Sequence, residues 1–402
     1  MNRRTLTVIT SLAFGASVAR AQETLLPSTG WGTGTAISAW HFTTAIPQSA
    51  GAVADVAEVA LPFRVSGRVG RWSVDLSGAG AYGAVHLSAG SAGGSGDGGD
   101  RLVSIAGPTD VKLRVTGPIV GESLQLTLGF NLPTGKVGLN ADETSALQAV
   151  GAPALHMPIG AFGTGTGVTL GLVRVFGGDD WALAIGAAGE QRSEYSPIAL
   201  ALSTGRSETQ VTPGSAIHIT AGLDRALGEG RWALLFVGDM FTKDKVRLSG
   251  STDAESNDYT LGPQFTVSSQ MDIAASRWRT ATFGVAARMR SEFSDASGTK
   301  VSGSSGTYLE ASLGGVRGGP SGAGLIIGAD ARWHSGLTFT DALVGAAVTA
   351  TGVTLGVERA GTSTLTRFTL HGQYGTFDTG KLSTTGFGAS LGFSISSRRE
   401  AR

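Results

Sequence analysis

Alternation of apolar and polar residues with a period of two recurs along most of this chain. In the run 281–290 the odd positions are apolar, whereas Arg288 and Arg290 occupy even positions. In the run 232–240 one face is apolar, with Trp232, Leu234, Phe236 and Met240 at even positions. Because successive side chains of a β-strand point to opposite faces, these runs predict strands with one apolar face. No run of 18 uninterrupted apolar residues occurs, so a membrane-spanning helix is not predicted.

Tryptophan begins several of the alternating runs, each time directly after a short polar turn. Trp72, Trp181, Trp232 and Trp278 stand in this position. Counted from a first run at Trp31, the runs start near positions 31, 72, 122, 181, 232, 278, 322 and 363. Each interval has room for one β-hairpin and its connections. Eight hairpins, and therefore about 16 strands, are predicted.

Longer connections rich in Gly, Ser and Asp alternate with the short turns. They lie at 88–108, 133–158, 190–213, 243–258 and 291–306. Short turns at one end and long loops at the other are typical of an outer-membrane barrel, whose turns face the periplasm. The predicted fold is all-β: a closed antiparallel transmembrane β-barrel of about 16 strands, or of 14 if the segment 31–49 plugs the interior. The alternative is a secreted β-sandwich or β-solenoid with the tryptophans in its core.

In a membrane barrel the tryptophans acquire a common role. Trp72, Trp181, Trp232 and Trp278 would form a membrane-interface girdle, in which each indole N–H meets lipid headgroups and each ring meets hydrocarbon. Outer-membrane lipid is therefore an expected partner, and the bacterial outer membrane is the expected location.

The N-terminus has the parts of a secretory signal peptide. A charged start precedes an apolar stretch at 6–18, and an A-x-A cleavage site ends at Ala21. Residues 1–21 are predicted to be removed after export. The remainder, 22–402, shows no boundary and is predicted to be a single barrel domain.

The C-terminal strand and the connection 133–158 allow more specific predictions. The last strand, 387–395, looks like the signal that the barrel-assembly machinery recognises, and a polar tail, 396–402, follows it. Within the connection 133–158, Asn140 and Gly151 have the positions of helix caps around a short helix. Two placements of this helix remain open: folded into the lumen, where it would narrow the bore, or on the surface above the barrel.

Charge and composition exclude several classes of function. The chain has 31 basic and 31 acidic residues, so it lacks the basic excess of a nucleic-acid-binding protein. It contains no cysteine, which excludes disulfides and thiolate metal sites. The six histidines show no pair at metal-ligand spacing, and neither a metal site nor a cofactor is predicted.

Three short segments carry a family resemblance. DVKLR at 110–114, LGFNLPTG at 128–135 and FGTG at 162–165 resemble outer-membrane transporters associated with phenol meta-cleavage pathways. That family is distantly similar to the fatty-acid and toluene channels, and the resemblance covers about 110–176. It implies passive passage of small, hydrophobic or aromatic molecules.

By alternation, the inward faces of the strands carry charged residues of both signs, so the interior is expected to be polar. The candidate lumen and constriction residues are Lys112, Arg114, Arg288, Arg290, Asp330, Arg332, His334 and Arg367. Those between 288 and 334 fall near the external ends of neighbouring strands, where they would form an anion-favouring constriction. The alternative is that these charges pair with one another and fill the wall.

A polar interior predicts a channel or transporter for passive uptake of small molecules. A structural or receptor-like barrel that acts through its external loops is the alternative. A hydrolase is disfavoured, because the adjacent pair His334-Ser335 would point to opposite faces of a strand. The chain is therefore not predicted to be an enzyme, and its expected partners are lipid, the barrel-assembly machinery and the cargo.

Overall fold

The computed structural model describes residues 30–48, 51–88, 100–121, 123–202, 205–248, 258–275, 278–318 and 322–397. The predicted signal peptide, 1–21, lies outside these ranges, as do residues 398–402 of the predicted tail. Within these ranges, no helix has the length and apolar character needed to cross a membrane.

Most of the described chain is β-structure. The strands are β1 (Trp31–Gln48), β2 (Gly51–Val69), β3 (Trp72–Ser88), β4 (Arg101–Pro108), β5 (Val111–Val120), β6 (Leu124–Leu132), β7 (Gly167–Gly177), β8 (Trp181–Arg192), β9 (Tyr195–Leu202), β10 (Gly205–Thr212), β11 (Ala216–Leu227), β12 (Gly230–Phe241), β13 (Lys245–Leu248), β14 (Gln264–Ala275), β15 (Trp278–Arg290), β16 (Gly306–Arg317), β17 (Gly322–His334), β18 (Ala347–Ala360), β19 (Thr364–Asp378) and β20 (Ser383–Ser397). The helix α1 (Ala141–Val150) and a short 3₁₀ turn (Leu343–Gly345) complete the described elements.

The barrel closes where the last strand pairs with the first. β20 lies antiparallel to β1, from Ser396 opposite Gly32 to Gly386 opposite Phe42. β1 also pairs with β2 on its other side. The 14-strand alternative is therefore wrong, because a strand that is paired on both sides belongs to the wall and does not plug the interior.

One strand position of the wall is shared by two strands. β4 pairs with the C-terminal part of β3, at 80–87, and β5 pairs with the N-terminal part of the same strand, at 73–77. The main sheet has 17 strands, so this shared position leaves 16 positions around the wall, all with antiparallel neighbours. The fold is a closed antiparallel β-barrel of outer-membrane type.

The strand starts agree with the predicted periodicity. The predicted starts at 31, 72, 181, 278 and 322 are the first residues of β1, β3, β8, β15 and β17. The other three lie within two residues of the starts of β6, β12 and β19. All eight strands rise from the end of the barrel with tight connections, the short-turn end, toward the opposite end, the long-loop end.

The connections at the long-loop end are more structured than predicted. The predicted loops 88–108, 190–213 and 243–258 contain β4, β9, β10 and β13. β4 lacks alternation because both of its faces are apolar: Val103 and Ile105 are buried inside, whereas Leu102 is exposed outside. β9, β10 and β13 form a separate three-stranded sheet.

The two faces of the wall differ in chemistry. Outward-facing side chains are mostly apolar, and Leu170, Leu355 and Phe387 are more than half exposed. Charged side chains such as Arg64 and Glu358 are buried on the inward face. Apolar residues outside and charged residues inside are the arrangement of a barrel that faces lipid.

Candidate functional site

Residues 133–166, which connect β6 to β7, pack against the inner face of the wall and are called the inner loop. Its buried residues share one apolar cluster with inward-facing side chains of β1–β4, β18 and β19. The loop contributes Leu139, Ala146, Ala149, Val150, Ala152, Ala154, Leu155, Met157 and Phe162. The wall contributes Trp40, Phe42, Ile46, Val53, Val56, Val85, Leu87, Val103, Ile105, Val348, Ala350 and Phe377. Of the two placements that the sequence left open, these contacts correspond to the one inside the lumen.

The helix of the inner loop is the one that the caps predicted. The Glu143 N–H donates to Asn140 Oδ1 (2.9 Å), and the Asn140 N–H donates to Glu143 Oε2 (3.1 Å). Lys136 Nζ also donates to Glu143 Oε1 at 2.5 Å. Gly151 ends the helix, with its N–H bonded to a carbonyl of the last turn. The ends of α1 are therefore stabilised by residues of the inner loop itself, without any contact with the wall.

Small residues allow α1 to lie close to the wall. The helix packs against β2, β3 and β4 and buries Ala146, Ala149 and Val150. On β3 it lies over Gly83, where an added Cβ would be 2.8 Å from Val150 Cγ2. A side chain at position 83 would therefore displace the helix.

The tip of the inner loop reaches β17. Trp40 Nε1 donates to Leu155 O (3.1 Å), and Arg332 Nη2 donates to Ala154 O (3.4 Å). The Arg332 guanidinium lies 5.4 Å from the Trp40 ring, in cation–π geometry. Arg332 therefore contacts the loop, although the sequence predicted that it would line an open constriction.

Both ends of the inner loop meet at Asp110, in the break between β4 and β5. The Gly135 N–H donates to Asp110 Oδ1 (2.8 Å). The N–H and hydroxyl of Thr164 donate to Asp110 Oδ2 at 2.6 and 2.9 Å. Asn131 Nδ2 donates to the same oxygen (2.8 Å) and to Gly165 O (2.6 Å). These residues belong to the three segments that carry the family resemblance, and the sequence pattern did not predict that they contact one another.

Part of the predicted constriction comes together on β15–β17. Tyr308 of β16 lies opposite Arg288 on one side and His334 on the other. Arg290 lies on the same inward face as Arg288, and both are half-buried. With Arg332 on β17, these residues form a basic group near the long-loop end.

Two other predicted residues are paired within the wall. Asp330 Oδ1 lies 2.9 Å from His371 Nε2. Arg367 Nη2 donates to Glu358 Oε2 (2.9 Å). Asp330 and Arg367 therefore agree with the alternative interpretation, in which inward-facing charges pair with one another and fill the wall.

Some inward-facing residues remain open to solvent. Lys112 of β5 and Gln270 of β14 are exposed, and Arg114 is half-buried, although all three face inward by register. Together with Arg288 and Arg290 they define what we call the accessible sector, the inward faces of β5, β14 and β15. The covered sector is the wall part of the apolar cluster, on β1–β4, β18 and β19.

The uniformly polar interior predicted from alternation is therefore wrong for the covered sector. Trp40 and Phe377 face inward, are at most 2% exposed, and meet edge to face with centroids 5.2 Å apart. One feature of the sequence indicates this sector. Trp40 and Phe42 occupy even positions of β1 and Ile37 occupies an odd one, so β1 has apolar residues on both faces.

The pair His334-Ser335 has no catalytic geometry. His334 Nδ1 lies 3.2 Å from Ala346 O. Ser335 Oγ accepts from the Thr307 N–H (2.9 Å), and its hydroxyl donates to a backbone carbonyl. The two side chains thus have separate partners.

The four predicted girdle tryptophans lie on the outward face at the short-turn end. Trp181 is 41% exposed, whereas Trp72, Trp232 and Trp278 are half-buried against neighbouring strands. The Trp232 indole N–H donates to Ser269 Oγ (2.8 Å). This N–H therefore has a partner within the wall, and the membrane-interface girdle stays a prediction.

No protein-family model matches the sequence, and neither does any curated protein. Among solved structures, a bacterial polysaccharide outer membrane secretin is 11% identical, covers 91% of this chain and 98% of its own, and has a TM-score of 0.43. An outer membrane channel from Pseudomonas putida F1 is 12% identical, covers 68% and 92%, and has a TM-score of 0.37. The CymD monoaromatic hydrocarbon channel is 9% identical, covers 97% and 95%, and has a TM-score of 0.39. The barrel itself follows from the strand register of this chain.

Proposed function

We propose that this protein is an outer-membrane channel for passive uptake of small molecules. The observation that carries the proposal is the exposure of Lys112 and Gln270 on the inward face of a closed barrel. Exposed polar side chains inside a closed wall indicate that water reaches the interior beside the inner loop. The inner loop then narrows the passage.

The outward face supports a location in lipid. Apolar side chains surround the wall, and tryptophans lie at one rim, where their rings suit the membrane interface. Outer-membrane lipid and the barrel-assembly machinery are the partners that this location requires. Export through a cleaved N-terminal signal peptide belongs to the same proposal.

The cargo we propose is small hydrophobic or aromatic molecules, as the resemblance of 110–176 implies. The basic group around Arg288 and Arg290 adds a preference for anionic over cationic solutes among those that pass. Both residues lie in the accessible sector, on the side of the bore that the inner loop leaves open.

Planar-bilayer recording and liposome swelling with the purified protein test the channel. We expect stepwise ion conductance, and faster entry of a small aromatic acid than of an aromatic amine of equal size. Heating must slow the migration of the same preparation on a gel, which establishes that the barrel is closed. A closed barrel that passes neither ions nor small solutes would refute the proposed function.

A further inference from the structure

The carboxylate of Asp110 is unusual among the inward-facing acids in its set of partners. Arg64, Arg231 and Arg367 pair with acids of the wall, whereas Asp110 accepts from Gly135, Thr164 and Asn131. Asp110 is only 6% exposed. Removing one accepting oxygen from such a buried network leaves donors without a partner, which costs more than the net gain of one hydrogen bond.

The two ends of the inner loop also touch each other directly. An added Cβ on Gly135 would lie 2.5 Å from Phe162 O and 2.6 Å from Gly163 Cα. The Asp110 N–H donates to the same Phe162 O (3.0 Å). The loop is therefore closed at its base, with the Asp110 carboxylate between its two ends.

Away from this base the loop is held by apolar packing and by single hydrogen bonds. The buried face of α1 and the turn after it consists largely of alanines, Ala146, Ala149, Ala152 and Ala154, which bury little apolar area each. At the tip, two hydrogen bonds of 3.1 and 3.4 Å join the loop to Trp40 and Arg332. Backbone hydrogen bonds of 2.8–2.9 Å also join 138–139 of the loop to β9, but Asp110 is the side chain that binds both ends of the loop at once.

We propose that Asp110 is the positioning residue that holds the inner loop in the lumen and so sets the width of the channel. The proposal rests on the proposed channel function, because width matters only if solutes pass. Asp110 acts through the loop and has no contact with cargo.

Asp110→Asn is the direct test. The amide keeps the size of the side chain but places an NH₂ group where Thr164 or Gly135 donates, so the base of the loop loosens. We expect a roughly twofold rise in single-channel conductance, because the covered sector, six of the 16 wall positions, would become free. Larger neutral polymers should also enter the pore.

A matched control is Asp295→Asn. Asp295 Oδ1 accepts from the N–H groups of Ser297 (2.9 Å) and Thr299 (3.0 Å), so it too braces a loop, between β15 and β16. Residues 297–300 of that loop are exposed, and none of its residues belongs to the apolar cluster. We expect wild-type conductance from this variant, and gel migration that changes on heating for both.

A reversible tether separates positioning from a general structural role. The chain has no cysteine, so Gly83→Cys with Val150→Cys introduces one defined pair. A Cβ on Gly83 would lie 3.7 Å from Val150 Cβ, within the range of about 3.5–4.5 Å found in disulfides. In the Asp110→Asn background, oxidation should return the conductance to the wild-type value, and a reductant should raise it again.

The rate of disulfide formation gives a readout that does not depend on conductance. We expect slower cross-linking in the Asp110→Asn background, because the helix spends less time against β3. Equal cross-linking rates with and without Asp110, or an Asp110→Asn conductance that oxidation leaves unchanged, would overturn the positioning role. Slower cross-linking in a protein that never conducts would support that role and refute the channel instead.

Discussion

The covered and accessible sectors of the barrel interior have opposite chemistry, although one continuous sheet builds both. The covered sector presents Trp40, Phe42 and Phe377 to the inside, and the accessible sector presents Lys112 and Arg288. A wall that water reaches is polar, and a wall that protein covers is apolar. The apolar side chains of the covered sector therefore mark the part of the wall against which the inner loop packs.

The covered sector is built as a protein core. An added Cβ on Gly388 of β20 would lie 2.8 Å from Trp40 Cε2, and one on Gly386 would lie 3.1 Å from Phe42 Cδ1. These glycines let the two rings lie flat on the neighbouring strand and leave space for the loop above them. Ring surface left in water would cost about 25 cal/mol per Å². The wall and the loop therefore stabilise each other.

The largest effect is expected from removing the central ring of the covered sector. Trp40→Ala should lower the free energy of unfolding by about 3–5 kcal/mol, as for other large buried side chains, and should raise conductance by releasing Leu155. Trp333→Ala is the matched control, because Trp333 faces outward and is 42% exposed. Urea unfolding in lipid vesicles measures both. Equal losses from the two variants would mean that the covered sector is not a core.

A smaller effect is expected where the helix meets the wall. Gly83→Ala places a methyl group 2.8 Å from Val150 Cγ2, and overpacking of this kind costs about 1–3 kcal/mol. Gly80→Ala is on the same strand but has no atom within 4 Å of its added Cβ, so we expect a change within about 0.5 kcal/mol. The same unfolding measurement separates them. A larger loss from Gly80→Ala would contradict the seating of α1.

The predicted constriction residues also differ: Arg288 and Arg290 lie in the accessible sector, whereas Arg332 contacts the inner loop. Arg288→Gln with Arg290→Gln should shift the reversal potential in a salt gradient toward cation selectivity, by roughly twofold in the permeability ratio. Arg332→Gln should leave the selectivity nearly unchanged, because Arg332 is only 6% exposed and contacts the inner loop. An equal shift from Arg332→Gln would show that its charge faces the permeation path.

Closure and strand count could be predicted because period two and turn spacing are local signals. Each strand start depends on a few neighbouring residues, and Trp31 and Trp72 fall at the first residues of β1 and β3. The helix at Asn140 was equally local, since the capping box of Asn140 and Glu143 lies within one turn.

The covered sector could not be predicted, because it depends on contacts between distant segments. Trp40 and Leu155 are 115 residues apart, and Thr164 is 54 residues from Asp110. An alternating pattern indicates only that the two faces of a strand differ, and it predicts that the apolar face contacts lipid. On β1 and β4, where both faces are apolar, the rule has no answer. The Asp110 network is also invisible to it, because its members lie in strand breaks and loop ends.

The smallest expected effect is a pH dependence of the inner loop, at Glu143. Burial alone would raise the pKa of Glu143, but the hydrogen bonds from Lys136 and Asn140 and the positive charge of Lys136 outweigh it and hold the pKa below its usual value of 4.5. A group with a lowered folded-state pKa stabilises the folded state above its unfolded pKa, and this stabilisation is lost as the pH falls through the folded pKa. The two side chains are 31% and 18% exposed, so the pair contributes only about 0.2–1 kcal/mol.

The inner loop should therefore loosen when the pH falls from about 6 to about 3, seen as a modest rise in conductance and faster cleavage of the loop by an acid protease. Glu143→Gln should already show part of this loosening at neutral pH and should respond less to acid. Asp142→Asn is the matched control, because Asp142 lies in the same helical turn but pairs with Arg101 on an exposed surface (3.0 Å). We expect this control to keep the wild-type profile. If Glu143→Gln follows the wild-type profile as well, the acid response arises elsewhere, and the Lys136–Glu143 pair does not help to hold the loop against the covered sector.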